Sequence, residues 1–444
     1  MADARTVALN VLYSIETERA YSNIALNNAI KENKLNNIDA SFVSALVYGV
    51  IERKITLDYI IRQYTKTTPI SKIELKTLII LRMGALQLLF MNKVPESAAV
   101  NESVKLAKSH RLQKSAGFIN AVMRSMIRNN FAYRMPDQST NQYLSVLYSC
   151  PQEIVDNFIN NYGRTNAIEI LETLNGRPPI TLRVNTLKTD IDKLIDKLNE
   201  EKVKVEKVKY IDNALFVSDT GNIERLQSFI DGDFHIQDVA SQICVATLNP
   251  KPDQTVLDVC AAPGGKTLTI AEYMGNKGEI YACDIYDHKL KLIKASANRL
   301  GISIVKTYRR DASSRTLKLP MADCVICDVP CSGLGILRRK PEIRYKEDLF
   351  TEELPKIQYD ILDVNSKFVK AGGILVYSTC TLRKSENNVN ADRFLSEHPD
   401  FEPINIILPN GIVRKIDEPN NQLTLFPQIG GYDGFFISVF RKKI

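Results

Sequence analysis

Thr255-Val256-Leu257-Asp258-Val259-Cys260-Ala261-Ala262-Pro263-Gly264-Gly265-Lys266-Thr267 is the stretch whose reading decides the fold. Its first part is an apolar run of the kind that forms a buried strand, ending in an acid. Its second part is a turn of small residues that leads into a helix expected to begin near Leu268. Small residues let a backbone approach a ligand closely, and a helix N-terminus presents free N–H groups. Downstream, Ile280-Tyr281-Ala282-Cys283-Asp284 reads as the next strand. Asp284 follows Gly265 by 19 residues, close to the roughly 20 expected of a ribose-binding acid in such folds. Asp311, after Arg309-Arg310, and Asp328, after Cys324-Val325-Ile326-Cys327, occupy further strand ends. From about Phe234 strands and helices alternate, the signature of a doubly wound parallel sheet. Residues 234–444 are therefore read as an α/β, Rossmann-like domain.

Two nucleotide readings compete for the turn. Gly264-Gly265-Lys266-Thr267 resembles the end of a phosphate-binding Walker A loop, and Val325-Ile326-Cys327-Asp328 could serve as its Walker B strand. That loop requires glycine at position 260, where Cys260 stands, and Pro263 interrupts it. S-adenosylmethionine fits better, because its ribose hydroxyls and amino group suit several acids and it carries no phosphate. The expected cofactor-binding residues are Cys260 (through its backbone), Ala261, Ala262, Pro263, Gly264, Gly265, Lys266, Asp284, Asp311 and Asp328.

Two cysteine motifs follow apolar runs of the same domain: Asp328-Val329-Pro330-Cys331 and Ser378-Thr379-Cys380. Two thiols at strand ends beside a nucleotide pocket point to covalent chemistry on a ring too unreactive to attack directly. A free thiol is only a few per cent thiolate at neutral pH, so an electropositive pocket would assist. The residues alone do not rank the two thiols. A structural role for one buried cysteine would be unremarkable; for two in matching positions it is a poorer explanation.

At 444 residues the chain is expected to hold several domains. Its 44% hydrophobic and 25% charged residues are those of a globular protein. The net charge of +7 suits a polyanionic partner, although surface variation alone produces such an excess. Eight cysteines spread over this length do not form a disulfide scaffold. Met1-Ala2-Asp3-Ala4-Arg5 does not read as a secretory leader, and Leu78–Met91, interrupted by Arg82, reads as a buried helix rather than a membrane span. A cytoplasmic, monomeric protein with reduced thiols is expected. Metal is not: there are four histidines, none paired at helical spacing. Cys324 and Cys327 would point to opposite faces of a strand.

Residues 1–130 look entirely helical. Val7, Leu9, Val11, Leu12 and Ile15 recur near helical spacing, and Val100, Val104, Leu106 and Ala107 line another apolar face. Lys105, Lys108, His110, Arg111, Lys114, Arg124 and Arg128 surround the last two helices, as a solvated face or as an RNA-facing patch. Residues 131–144 read as a linker. Residues 145–233 read as a small α+β module: two short helices over Tyr148–Asn175, the first opening after Pro151, a strand at Ile180–Asn185, a helix at Asp190–Leu198 and a strand at Leu215–Val217. Arg183 and Asn185 could touch RNA or merely satisfy backbone groups. Leu337-Arg338-Arg339-Lys340-Pro341, with Arg344 and Lys346, is a basic run expected either to grip RNA phosphates or to be a solvated loop.

Two resemblances follow from these motifs. Val94-Pro95-Glu96-Ser97-Ala98-Ala99-Val100-Asn101-Glu102-Ser103-Val104, with Lys114-Ser115-Ala116-Gly117-Phe118-Ile119-Asn120-Ala121-Val122, resembles the antitermination factor NusB. That implies an RNA-binding helical bundle. The ordered set from Asp258 through the turn, Asp284, Asp311, Asp328-Val329-Pro330-Cys331 and Thr379-Cys380 to Gly430-Gly431-Tyr432-Asp433-Gly434-Phe435-Phe436 resembles the RNA cytosine-5 methyltransferase family. With the NusB-like front, the chain looks like the bacterial enzymes that act on 16S ribosomal RNA, free or within an assembling small subunit. The resemblance implies a class I methyltransferase domain, with Cys380 as nucleophile and Cys331 as release residue; Asp328 could hydrogen-bond the cytosine amino edge or protonated ring nitrogen, or touch the cofactor. In the DNA cytosine-5 enzymes the Pro-Cys cysteine attacks instead, which would favour Cys331. Tyr432 stands where many relatives have histidine, and no tryptophan is available for base stacking. A non-catalytic RNA-binding or antitermination factor is the competing class.

Overall fold

The computed structural model describes residues 3–18, 20–65, 68–174, 176, 178–315 and 319–444. Met1, Ala2 and Asn175, at the ends of segments read above, lie outside them. The chain forms two compact units, Met1–Gly176 with Leu337–Glu347, and Arg177–Ile336 with Asp348–Ile444.

The first unit contains α1 (Ala4–Glu18), α2 (Ser22–Glu32), α3 (Asn37–Glu52), α4 (Lys54–Tyr64), α5 (Leu75–Phe90), α6 (Glu96–Ser109), α7 (Gln113–Arg128), α8 (Asn141–Tyr148) and α9 (Gln152–Glu172). The expected buried helix is α5, enclosed from Thr77 to Gln87. An apolar circumference places a helix inside a bundle. Arg82 survives there because Asp58 takes both Nε and Nη2 at 2.7 Å and Glu16 takes Nη1 at 3.0 Å. Asn141–Tyr148, part of which was read as linker, is helical. Thr140 caps it, its hydroxyl accepting from the Tyr143 N–H. The two helices expected after Pro151 are the halves of α9, broken at Gly163 where φ is 76°. Both α8 and α9 pack within this compact unit.

Leu337–Glu347 threads back into the helical unit. Arg344, 1% exposed, donates to the carbonyls of Glu52, Tyr148, Ser149 and Leu174 at 3.0–3.4 Å. These are end-of-helix carbonyls that lack intrahelical donors. So enclosed, Arg344 has no face left for an RNA phosphate, and the expectation that it grips RNA is corrected.

The second unit opens with a small antiparallel sheet. Its parts are β1 (Ile180–Val184), α10 (Ile191–Glu200), β2 (Lys204–Lys207), β3 (Ala214–Ser218), α11 (Gln227–Ile230) and β4 (Phe234–Ile236), in the order β2-β3-β1-β4. Leu194 and Leu198 of α10 pack on Leu182, Val184 and Leu215. A boundary at 233/234 cuts β4 away from β1, to which Leu182↔Ile236 pairs it. A three-residue strand is too short to show alternation in sequence.

The main sheet is built from β5 (Thr255–Asp258), β6 (Glu279–Asp284), β7 (Val305–Arg309), β8 (Ala322–Asp328), β9 (Val369–Thr379), β10 (Phe401–Pro403), β11 (Gln422–Leu425) and β12 (Phe435–Lys442). The helices are α12 (Val239–Leu248), α13 (Gly265–Tyr273), α14 (Asp287–Leu300), α15 (Glu353–Ser366), α16 (Asn388–Glu397) and α17 (Pro427–Gly430). The order is β10-β12-β9-β8-β5-β6-β7, with β11 on β12. The run β9-β8-β5-β6-β7 is parallel as expected. However, β12 is antiparallel to β9, so the sheet is mixed at one edge. Cys324 and Ile326 lie in one core face, Val325 and Cys327 in the other, as strand alternation requires. The chain reverses direction of sheet growth at β5, whose neighbours are β6 and β8. Such a switch point opens a crevice at the carboxyl ends of the strands.

Replacing Arg344 by alanine leaves its buried carbonyls unpaired, at roughly 1–3 kcal/mol per unsatisfied group. Calorimetry should show a lower unfolding temperature, only partly restored in Arg344→Lys; an unchanged temperature would contradict the anchoring role.

Candidate active site

The switch point is lined by the stretch that decided the fold. Asp258 ends β5 almost fully buried, its Oδ2 accepting from the Thr267 hydroxyl at 2.6 Å. Burial pushes its carboxyl up to about 7, against the Thr267 hydrogen bond. The turn is pinned by Ala261 N–H to Cys283 O and Gly264 N–H to Ala261 O, both 2.8 Å. Gly264 has φ +113°, and a Cβ there would lie 3.2 Å from Ile293, so glycine is required. The helix α13 begins at Gly265, three residues earlier than expected, with its N-terminus at the cradle.

Lys266 is buried rather than reaching outward. Its Nζ lies 2.6 Å from Asp328 Oδ2 and 3.3 Å from Ser241 Oγ, with the Phe435 ring centroid at 4.9 Å. Burial opposes its charge, but Asp328 outweighs burial and the pKa is raised. The Ser378 hydroxyl donates to Asp328 Oδ1 at 2.9 Å. Asp284 closes β6, accepting from Tyr286 N–H at 3.0 Å. Asp311, exposed just past β7, is held below the usual carboxylate range by the hydroxyl and N–H of Ser313. The donor set is thus carboxylates at strand ends, one cation already committed to Asp328, and a small-residue turn at a helix N-terminus. It suits a cationic nucleoside with free hydroxyls and repels a polyphosphate.

The thiols meet at the neighbouring strand ends. Since β8 pairs with β9 in parallel, with Asp328 opposite Ser378, the chains emerging from both run side by side. Cys331 Sγ and Cys380 Sγ lie 2.8 Å apart. The two loops are joined by Gly335 N–H to Cys380 O at 3.0 Å and by Ser332 Oγ with Thr381 Oγ1 at 2.7 Å. Gly434 N–H in turn donates to Gly335 O at 2.9 Å, and a Cβ on Gly335 would lie 1.9 Å from Gly434 O. The final glycine motif therefore permits close backbone approach behind the thiols. Its Tyr432 is a packing residue, fully buried and edge-on to Tyr210 at 5.9 Å. The hydrogen bond to Cys380, then burial, push the Cys331 thiol well up. Cys150, Cys244, Cys283 and Cys324 are buried thiols raised to about 12 by desolvation.

Two residues expected at RNA are structural. Arg183 is buried, with Nε 3.0 Å from Glu272 Oε2 and Nη1 2.9 Å from Asp212 O. Asn185, fully buried, donates to Gly232 O and Leu300 O at 2.8 and 2.9 Å. Both meet the protein's own polar groups, the alternative that the sequence left open. Arg338, Arg339 and Lys340 are half-buried in the helical unit, whereas Lys105, Lys108, Arg111, Lys114, Arg124 and Arg128 are exposed. Sequence reasoning gave no role to Ser378, Glu386 or Gln358. Ser378 could have been found by aligning the two motif-bearing strand ends. Glu386 and Gln358 carry no local signal, since their partners lie 54 and 28 residues away. Among the described residues no His/Cys/Asp/Glu cluster could hold a metal, and no helix is long and apolar enough to cross a membrane.

A doubly wound sheet with this cradle and its strand-end acids has the form of an S-adenosylmethionine-dependent methyltransferase domain, and the family matches make it one that acts on ribosomal RNA. Residues 245–441 match the family described as 16S rRNA methyltransferase RsmB/F, residues 2–128 the NusB family, and residues 150–224 the RsmF/B-like ferredoxin-like domain. The chain belongs to the ribosomal RNA small subunit methyltransferase B family. It is 36% identical to the probable ribosomal RNA small subunit methyltransferase B of Bacillus subtilis, across 99% of this chain and 98% of the relative. It is 34% identical to the Synechocystis protein of the same description over the full length of both. The crystal structure of PH0851 covers 100% of the chain and 99% of its own, with TM-score 0.83 and 25% identity. NSun6 from Pyrococcus horikoshii, solved with SFG, shares the fold over 66% of this chain and 98% of its own (TM-score 0.60, 23% identity). The bacterial enzymes acting on 16S ribosomal RNA that the motifs resemble are the family found, and S-adenosylmethionine is its methyl donor.

Between the unfolded carboxyl value near 4 and the folded value of about 7, the folded chain keeps an Asp258 proton that the unfolded chain has released. Asp258 thus lowers stability as pH rises through that window. Asp258→Asn keeps an acceptor for Thr267 and removes this loss. Its stability relative to the parent should increase from pH 4 to 7, by up to about 4 kcal/mol, in denaturant titrations. A constant difference would contradict the buried acid.

Proposed function

We propose that this protein methylates carbon 5 of a cytosine in 16S ribosomal RNA, with Cys380 as nucleophile and Cys331 as the release residue. The observation that carries the reading is the meeting of the two thiols, 2.8 Å apart, at the ends of adjacent parallel strands beside the cradle. The turn Cys260–Lys266 with Asp284, Asp311 and Asp328 would hold S-adenosylmethionine, whose sulfonium supplies an activated methyl group. Carbon 5 of cytosine is a weak nucleophile. Addition of Cys380 Sγ to carbon 6 shifts an electron pair to carbon 5 and makes it enamine-like, splitting one hard step into easier ones. Once carbon 5 carries the methyl group, its proton leaves to a base. The carbon 5–carbon 6 double bond re-forms and Cys380 departs as thiolate. With the two sulfurs 2.8 Å apart, one thiol can stay protonated beside the other and assist this departure; that Cys380 attacks and Cys331 assists is the ranking drawn from the resemblance.

Asp328 lies two residues before Pro330-Cys331 with both oxygens engaged by Lys266 and Ser378. It is poised to accept from the cytosine amino edge or protonated ring nitrogen. The base must be unpaired or flipped to reach the thiols. The exposed cations of α6 and α7 offer a phosphate-binding face whose grip weakens as salt rises. The half-buried Arg338, Arg339 and Lys340 offer fewer free donors. The substrate is 16S RNA, free or assembling into the small subunit, met in the cytoplasm by a monomeric enzyme. A purely RNA-binding factor would leave the cradle and the paired thiols without use.

Labelled methyl transfer to unmodified 16S RNA, with nucleoside analysis, should place the label in 5-methylcytidine. Cys380→Ala should lose about a thousand-fold or more of the rate; label at the parental rate would overturn the nucleophile assignment. Cys331→Ala should leave RNA attached to protein on denaturing gels, and clean turnover would count against its release role.

A further inference from the structure

Glu386 is fully buried, 0% exposed, in the turn Lys384–Glu386 that follows the Cys380 loop. Its Oε2 accepts from the Ser332 N–H at 2.9 Å and from Gln358 Nε2 at 2.8 Å. The same Gln358 amide nitrogen donates to the Pro330 carbonyl at 2.9 Å. These two contacts grip the peptide groups on both sides of Cys331: the carbonyl before it and the N–H after it. The backbone dihedrals of Cys331 are thereby fixed from the protein interior, while its side chain faces Cys380. The clamp is itself anchored. The Glu386 carbonyl accepts from Tyr377 OH at 2.5 Å, on β9 three residues before Cys380, and Arg383 Nη1 lies 3.9 Å from Oε1.

A buried carboxylate is costly unless its environment repays the desolvation. Simple loop closure could be served by a neutral amide. A carboxylate here also bears electrostatically on the neighbouring Cys331 thiol, opposing negative charge on it.

We propose that Glu386, working with Gln358, is the positioning residue that sets Cys331 for release of the methylated RNA. It acts through the Cys331 loop and touches neither RNA nor cofactor. The inference rests on the proposed covalent route, in which the carbon 5 proton passes to a base and the re-formed double bond expels Cys380 Sγ from carbon 6. Glu386 holds Cys331 where it assists that departure. Its negative charge also opposes a second negative charge at Cys331, in the same direction as the Cys380 hydrogen bond and burial.

The test compares the parent, Glu386→Gln, Gln358→Leu, Cys331→Ala and Cys380→Ala as full-length proteins with 16S RNA and S-adenosylmethionine. Methyl transfer is followed in a single turnover, and protein–RNA adduct decay on denaturing gels. Glu386→Gln retains the side-chain shape and one acceptor. It should slow adduct decay about ten-fold more than it slows methyl transfer, and shift the pH dependence of decay to lower pH because the opposing charge is gone. Gln358→Leu should slow decay without that pH shift. Adduct decay at the parental rate and pH dependence in Glu386→Gln would overturn the proposal. So would an equal loss in both steps with a lowered unfolding temperature, which is a structural role alone. If Cys331→Ala accumulates no adduct at all, the covalent reading itself fails, an outcome separable from failure of the Glu386 proposal by that variant alone.

Discussion

The parallel pairing of β8 with β9 is the constraint on which the site depends. The register sets Asp328 opposite Ser378, and everything that follows at the carboxyl ends is fixed by counting. Three residues beyond Asp328 and two beyond Ser378, Cys331 and Cys380 face each other. A one-residue slip would reverse the faces of one whole strand, burying the acid and parting the thiols. The core enforces the register from both sides, with Cys324 and Ile326 in one apolar layer and Val325 and Cys327 in the other. Chemistry and core packing are thus two consequences of one alignment.

Environment then sorts chemically identical groups into different roles. Desolvation keeps Cys150, Cys244, Cys283 and Cys324 as inert thiols, whereas Cys331 and Cys380 sit at the edge of the core with partial exposure. The carboxyls divide in the same way. Asp258 is buried against a hydroxyl and raised, Asp311 is exposed and lowered by hydrogen bonds, and Asp328 is tied to a buried cation. An active site needs such spread among like groups. Backbone contacts between Gly335, Gly434 and Cys380 hold it in place, where a single Cβ would force the loops apart.

Much of this was legible from local pattern. The run Thr255–Thr267 specified strand, turn and helix because apolar run, small residues and helix start are contiguous. The acids at strand ends follow the same logic, and α5 was evident despite Arg82 because its apolar circumference exceeds one helical face. Long-range pairing was hidden. The antiparallel direction of β12 leaves no trace in an apolar run such as Phe435–Phe440, and the pairing of β4 with β1 depends on three residues. Basic residues were the least legible. Arg183 and Arg344 read as surface cations because charge is usually exposed, yet one pairs with a buried acid and the other collects helix-end carbonyls. Glu386 and Gln358 were unreadable because their roles consist of contacts to peptide groups elsewhere in the chain.

The most direct test of the central claim is to locate the bond. The Cys331→Ala protein is incubated with 16S RNA and S-adenosylmethionine, the complex is digested with protease and nuclease, and the cross-linked peptide is sequenced by tandem mass spectrometry. The account predicts a methylated cytidine nucleotide attached to the sulfur of Cys380. A nucleotide on any other residue, or product formed with no covalent intermediate, would contradict it.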